Sequence, residues 1–163
     1  SPRQFASGRI LESAIKALDE TGFDPTHLNI EITETMLMQN TDVVLDVLHR
    51  LGKLGIRFSV DDFGTGYASL NYLKSYPINQ VKIDKSFLKN VPGNANDEAI
   101  VNAIISMAHS MGITIIAEGV ETKEQMRFLR EHGCNAVQGF YFSPPVTLDV
   151  LNGYLSEGKV LAE

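Results

Sequence analysis

Apolar positions recur along this chain with two different periods, and the alternation between them predicts its architecture. Ile10, Leu11, Ala14, Ile15 and Leu18 fall at the three-to-four-residue spacing of one helix face, and Gly22 suits a stop. After the turn at Asp24-Pro25-Thr26, residues 28–33 switch to a two-residue alternation that predicts a short strand. Helical spacing returns over 42–54, with Val43, Val44, Val47, Leu48, Leu51 and Leu54 on one face, Thr41 as N-cap and Gly55 as stop. Residues 56–60 form the second predicted strand, 69–74 a short helix before Pro77, and 80–84 the third strand. The helix predicted over 97–111 lines up Ile100, Val101, Ile104, Ile105, Ala108 and Met111, and Gly112 ends it. A fourth strand over 113–117 precedes a helix over 122–132, where Thr122 and Gln125 have capping-box spacing. A fifth strand over 135–138 and a last helix over 147–155 complete the series.

Strands therefore recur at intervals of roughly 20 to 30 residues with helices between them, the signature of successive βαβ units in a parallel sheet. No stretch is rich enough in Pro, Gly or Ser to divide the 163 residues, so they form one unit. Hydrophobic content of 44% with 21% charged residues excludes disordered and fibrous classes. A formal charge of −6 argues against DNA or RNA polymers and anionic membrane surfaces as partners. The single Cys134 excludes an intrachain disulfide and suits a cytoplasmic setting. The apolar runs are too short to insert into a bilayer.

The polar residues add the chemistry. Glu31, with Glu34 beyond it, ends the first strand, and Asp61-Asp62 ends the second. Lys82 and Asp84 belong to the third, Glu118 and Glu121 follow the fourth, and Gln138 ends the fifth. In parallel β/α barrels the carboxyl edge of the strands is where active sites are assembled. Asp61 and Asp62 are a costly pair of like charges that an oxygen-liganded cation such as Mg2+ would stabilise. Each residue also has a bland role: Glu34 and Glu121 as solvated acids, Asp84 as a cap, Gln138 as a partner for backbone groups. Lys82, buried by its place in the strand, requires a carboxylate neighbour. Five such coincidences on one edge favour a site.

Glu31-Ile-Thr-Glu34, Asp61-Asp-Phe-Gly-Thr-Gly-Tyr-Ala-Ser-Leu70, Val81-Lys-Ile-Asp84, Ala117-Glu-Gly-Val-Glu121 and Val137-Gln-Gly-Phe-Tyr-Phe142 resemble, in order, the signatures of EAL-domain cyclic-di-GMP phosphodiesterases. The resemblance implies an α/β fold, a (β/α)8 TIM-type barrel, with residues 1–163 as the C-terminal part of a single EAL domain holding its last five β/α units. It implies hydrolysis of cyclic di-GMP to linear pGpG with two Mg2+ or Mn2+ ions. Glu31, Asp61 and Asp62 resemble the family's metal ligands, with Asp61 as the bridge, and Glu118 a further metal-site carboxylate that activates water. Lys82 resembles the lysine that orders the attacking water or the phosphate. Glu121 and Gln138 resemble residues completing the water and metal network, and Glu34 the anchor of the loop after Asp62, which couples substrate binding and dimerisation to the metals.

One departure qualifies this. The Glu-Ala-Leu segment that names the family and an Asn that would precede Ser1 are not in this sequence, and both are metal ligands in the family. The expectation is therefore three strands lying upstream, open edges at the strands of 28–33 and 135–138, weak or no activity for these residues alone, and a homodimer or missing strands covering the edges. The alternatives are a non-catalytic EAL domain acting as a cyclic-di-GMP receptor or protein-interaction module, and a barrel aldolase with Lys82 as Schiff-base nucleophile.

Overall fold

Five strands lie side by side in one parallel sheet in sequence order: β1 (Asn29–Thr33), β2 (Arg57–Phe63), β3 (Gln80–Ile83), β4 (Thr114–Glu118) and β5 (Ala136–Gln138). The structure, a computed structural model, describes Phe5 and residues 9–38, 42–66 and 70–158. Helix α1 (Arg9–Thr21) precedes β1; α2 (Glu34–Met38) and α3 (Asp42–Lys53) follow it. Then α4 (Leu70–Ser75) follows β2, α5 (Ala95–Ser110) follows β3, α6 (Lys123–Glu131) follows β4 and α7 (Leu148–Ser156) follows β5. This is the alternation that the apolar periods predict. Thr41, expected as an N-cap, and residue 69, the expected start of α4, lie outside the described residues.

Burial follows the two periods. Phe58, Val60, Val81, Ile83, Ile115 and Ala117 point to the outer face of the sheet and are fully buried. Val44, Val47, Leu48 and Leu51 of α3, and Val101, Ile104, Ile105 and Ala108 of α5, complete the same core. Each of the Val, Leu, Ile and Phe side chains among these contributes about 1.5–3 kcal/mol on burial. The helical stripes are narrower than predicted. Ile15, Val43, Leu54, Ile100 and Met111 are all more than a third exposed, because a helix lying on a sheet covers only the arc that faces it. The capping box of α6 forms as expected from Thr122 and Gln125.

Two differences bear on function. First, β2 runs on to Phe63, so Asp61 and Asp62 sit inside the strand instead of in a loop after it. The pairing with β3 is irregular between Val60 and Phe63, and Asp62 takes the left-handed φ of 53°. A bulge of this kind re-aims the side chains around it, so the two adjacent acids need not follow simple alternation. Second, the chain turns directly from β1 into the unpredicted α2, which places Glu34 in a first helical turn, buried to 3% exposure.

Among the described residues, β1 pairs only with β2 and β5 only with β4. No residue of α7 is buried, and Leu148, Leu155 and Phe140 are each about two-thirds exposed. Among the described residues no helix is long and apolar enough to cross a membrane.

Candidate active site

The inner face of the sheet carries the residues that alternate with the buried apolar ones, and most of these are polar. Lys82 lies at its centre, 6% exposed. Its Nζ is 2.9 Å from Glu31 Oε1, 3.0 Å from Asp61 Oδ1 and 2.6 Å from Glu118 Oε1. Register explains the convergence. Val60 pairs with Val81, so Asp61 stands beside Lys82. Lys82 is level with Ile116, and Glu118 lies two residues further toward the strand's carboxyl end, where the long lysine stem reaches it. Glu31 comes from the strand beyond β2.

The expected carboxylate neighbour of Lys82 is thus present three times over. Burial on its own would lower the lysine's affinity for its proton, but the contacts with Glu118, Glu31 and Asp61 outweigh it and raise the pKa above the usual 10.5. A Schiff-base lysine acts as a neutral amine, which three carboxylates within 3.0 Å of Nζ oppose.

One step down the same face lies a second polar layer. Ser59 Oγ donates to Gln80 Oε1 at 2.6 Å, and Asn29 Nδ2 donates to both Ser59 and Gln80. Sequence reasoning missed this layer, although its signal is simple: Asn29, Ser59 and Gln80 each precede a site residue by two positions. Hydrogen-bonded to one another, these groups support the acids above them without competing for the lysine.

Glu34 occupies a different position. Its Oε2 accepts hydrogen bonds from Gly64 N at 2.9 Å and Gly66 N at 3.3 Å, which ties the turn after β2 to the start of α2. The turn closes on Asp62, whose carbonyl accepts from Thr65 N and Oγ1. Both anchored positions favour glycine. Gly64 has φ +96°, and a Cβ on Gly66 would stand 2.6 Å from Glu34 Oε1. Gly66→Ala is therefore expected to push the carboxylate away and release the turn. Limited proteolysis should show cleavage near residue 65 several-fold faster than in the wild type, with the far-ultraviolet circular dichroism unchanged; equal cleavage would contradict the anchor.

Of the other expected site residues, Asp84 takes the bland role of cap. It accepts from Ser86 N at 2.9 Å, and although burial opposes its ionisation, the Ser86 and Lys85 hydrogen bonds hold its carboxyl below the usual range. Asp62 and Glu121 are exposed, Asp62 beside the acid–lysine cluster in sequence and Glu121 three residues past Glu118. Gln138 is exposed too and pairs in register with Glu118. Lys82 gathers Glu31, Asp61 and Glu118, and its contacts reach none of Asp62, Glu121 and Gln138.

A divalent cation suits this donor set in chemistry, since hard cations take carboxylate oxygens. Asp61 Oδ1 supports the fit: it is buried and already faces a positive charge, Lys82 Nζ at 3.0 Å. Among the described residues, however, no three His, Cys, Asp or Glu side chains form a ready-made metal cage.

The chain is similar to known proteins. The sequence profile of the EAL domain matches residues 1–145. The chain is 42% identical over 146 residues to the cyclic di-GMP phosphodiesterase NbdA of Pseudomonas aeruginosa, a match covering 90% of this chain and 19% of NbdA. It spans about a fifth of the length of the curated relatives it matches. The structure of the phosphodiesterase MucR from the same organism, in complex with c-di-GMP, superposes with a TM-score of 0.87 at 40% identity, covering 93% of this chain and 61% of that one. A manganese and cy-diGMP complex of Klebsiella pneumoniae BlrP1 superposes with a TM-score of 0.73 at 34% identity, over 86% of this chain and 35% of that one. EAL domains are (β/α)8 barrels of TIM type, and the five parallel β/α units found here are part of such a barrel. The chain belongs to the EAL domain family.

Proposed function

We propose that this chain is the C-terminal part of a single EAL domain that hydrolyses cyclic di-GMP to linear pGpG. The observation that carries the reading is the convergence of Glu31, Asp61 and Glu118, from three strands, on Lys82 at the carboxyl edge of the sheet. In this reading Glu31, Asp61, Asp62 and Glu118, together with Gln138, would hold two Mg2+ or Mn2+ ions. When bound, such a pair polarises the phosphoryl oxygens, neutralises the anionic substrate and lowers the pKa of water at the site. Lys82, released from part of its acid contacts, orients the attacking water or the phosphate as a fixed positive charge. Glu118 accepts the proton of that water, and Glu121 and Gln138 hold the surrounding water network. Glu34 sets the turn after Asp62 through Gly64 and Gly66, so the position of Asp62 depends on whether the turn is anchored.

Among the described residues β1 and β5 each pair on one side only, and this, with the exposed apolar side chains of α7 and Phe140, supports the view that further β/α units, and a second copy, complete the domain. The test compares these 163 residues alone with the same chain extended upstream through three further β/α units, each given cyclic di-GMP and Mn2+. The extended chain is expected to produce pGpG at least about a hundredfold faster, because it regains the Glu of the Glu-Ala-Leu segment and the Asn as ligands. Equal turnover by the two would refute the division. Binding of cyclic di-GMP by the extended chain with no pGpG formed would make the domain a receptor.

A further inference from the structure

Gln125 makes more hydrogen bonds than the capping of α6 needs. It stands at the third position of that helix and is 8% exposed. Its Oε1 accepts from Thr122 N at 3.1 Å, which is the capping box, and also from Glu121 N at 2.8 Å. Its Nε2 donates to Leu88 O at 2.9 Å, a buried contact spanning 37 positions of sequence. Leu88 closes the 3-10 turn Lys85–Phe87, which Asp84 caps directly after β3 and Lys82. Glu121 ends the short segment that follows Glu118 on β4. One amide therefore fastens the loop after β4 to the loop after β3.

The same two loops meet at a second point. Gly119 has φ +70°, and a Cβ there would fall 2.4 Å from Lys85 Cβ, so the Lys85 side-chain stem packs onto the Gly119 backbone with no space for a side chain. On its other side the segment is held by Val120, whose N–H donates to Gln138 O at 3.0 Å and whose carbonyl accepts from Tyr141 N at 2.9 Å. Residues 118–121 are thus clamped between the loops of β3 and β5.

We infer that Gln125 is a positioning residue for the reaction: through Glu121 N and Leu88 O it fixes Glu118 and Glu121 relative to Lys82. The inference rests on the proposed roles of those three residues. It is separable from ordinary capping because glutamate serves as well as glutamine in a capping box, while only the amide can donate to Leu88 O. Gln125→Glu keeps the two Oε1 bonds and loses the third. Misplacement of catalytic groups by about 1 Å costs on the order of a hundredfold in rate, whereas substrate contacts stay in place.

The experiment uses the upstream-extended chain with cyclic di-GMP and Mn2+, together with deuterium uptake by peptides covering 85–91 and 117–122. For Gln125→Glu, kcat is expected to fall about ten- to a hundredfold with KM within about threefold. Amide exchange is expected to rise about tenfold in both peptides. Unchanged kcat, or faster exchange confined to 121–126, would overturn the inference and leave Gln125 as a cap. If the glutamate variant does not fold, Gln125→Ala is read by the same exchange criterion. If the wild type forms no pGpG, the proposed function fails, and exchange in 85–91 still decides whether the two loops are joined through Gln125.

Discussion

Replacing Asp61 or Glu31 by alanine is expected to abolish Mn2+-dependent hydrolysis of cyclic di-GMP in the upstream-extended domain. A metal ion's charge stabilisation is worth several kcal/mol at the transition state, and each 1.36 kcal/mol is about tenfold in rate, so the loss is about a thousandfold or more. Asp61 is the more sensitive position. Its Oδ1 is buried with Lys82 Nζ at 3.0 Å, and the strand irregularity between Val60 and Phe63 surrounds it. The fold should survive, because both acids lie on the polar inner face and neither belongs to the apolar core. The check is a progress curve at saturating Mn2+ beside a thermal melt. A variant that melts like the wild type and hydrolyses within tenfold of it would remove that residue from the metal site.

Lys82→Met carries the second large effect, this time on stability. It leaves the carboxylates of Glu31, Asp61 and Glu118 facing one another without the cation that all three approach within 3.0 Å. Removing one partner from a buried ionic group costs roughly 3–5 kcal/mol when the site is fully enclosed. The side chain of Glu31 is 52% exposed, so water screens part of the repulsion and the expected loss is about 2–3 kcal/mol. For a chain of this length that lowers the Tm by about 4–12 °C. Added Mn2+ should restore most of the lost stability, since a divalent ion supplies the charge that the lysine no longer does. The pH dependence has a definite sign. The folded-state pKa of Lys82 is raised above 10.5, so its contribution is fully present below about pH 10.5 and is lost as the pH rises through the raised value. The difference in Tm between wild type and variant should therefore persist from the neutral range to pH 9. Identical melts at pH 7 without metal would show that the three contacts contribute no net stability.

Much of this was legible in the residues, for a physical reason. Strands buried under helices must be apolar on their outer face, and the period of two then assigns Glu31, Asp61 and Lys82 to the opposite face. Lys82 flanked by Val81 and Ile83 could be satisfied only by acids on neighbouring strands, which is how it is satisfied. The family signatures added the identity of the domain. What periodicity could not reach are effects that arise between elements. The bulge that keeps Asp61 and Asp62 inside β2 depends on pairing with β3. Helix α2 is five residues long, too short to show a helical repeat. The bond from Gln125 to Leu88 joins positions with no relation in the local pattern, and only the capping half of that residue's role could be read from its spacing to Thr122.

The most direct test of the site is anomalous diffraction from crystals of the upstream-extended domain soaked in Mn2+ and cyclic di-GMP. Two manganese peaks are expected among Glu31, Asp61, Asp62 and Glu118, with Lys82 Nζ no longer in contact with all three of its acids. Manganese absent from those carboxylates, or bound elsewhere while pGpG still forms, would contradict the metal assignment.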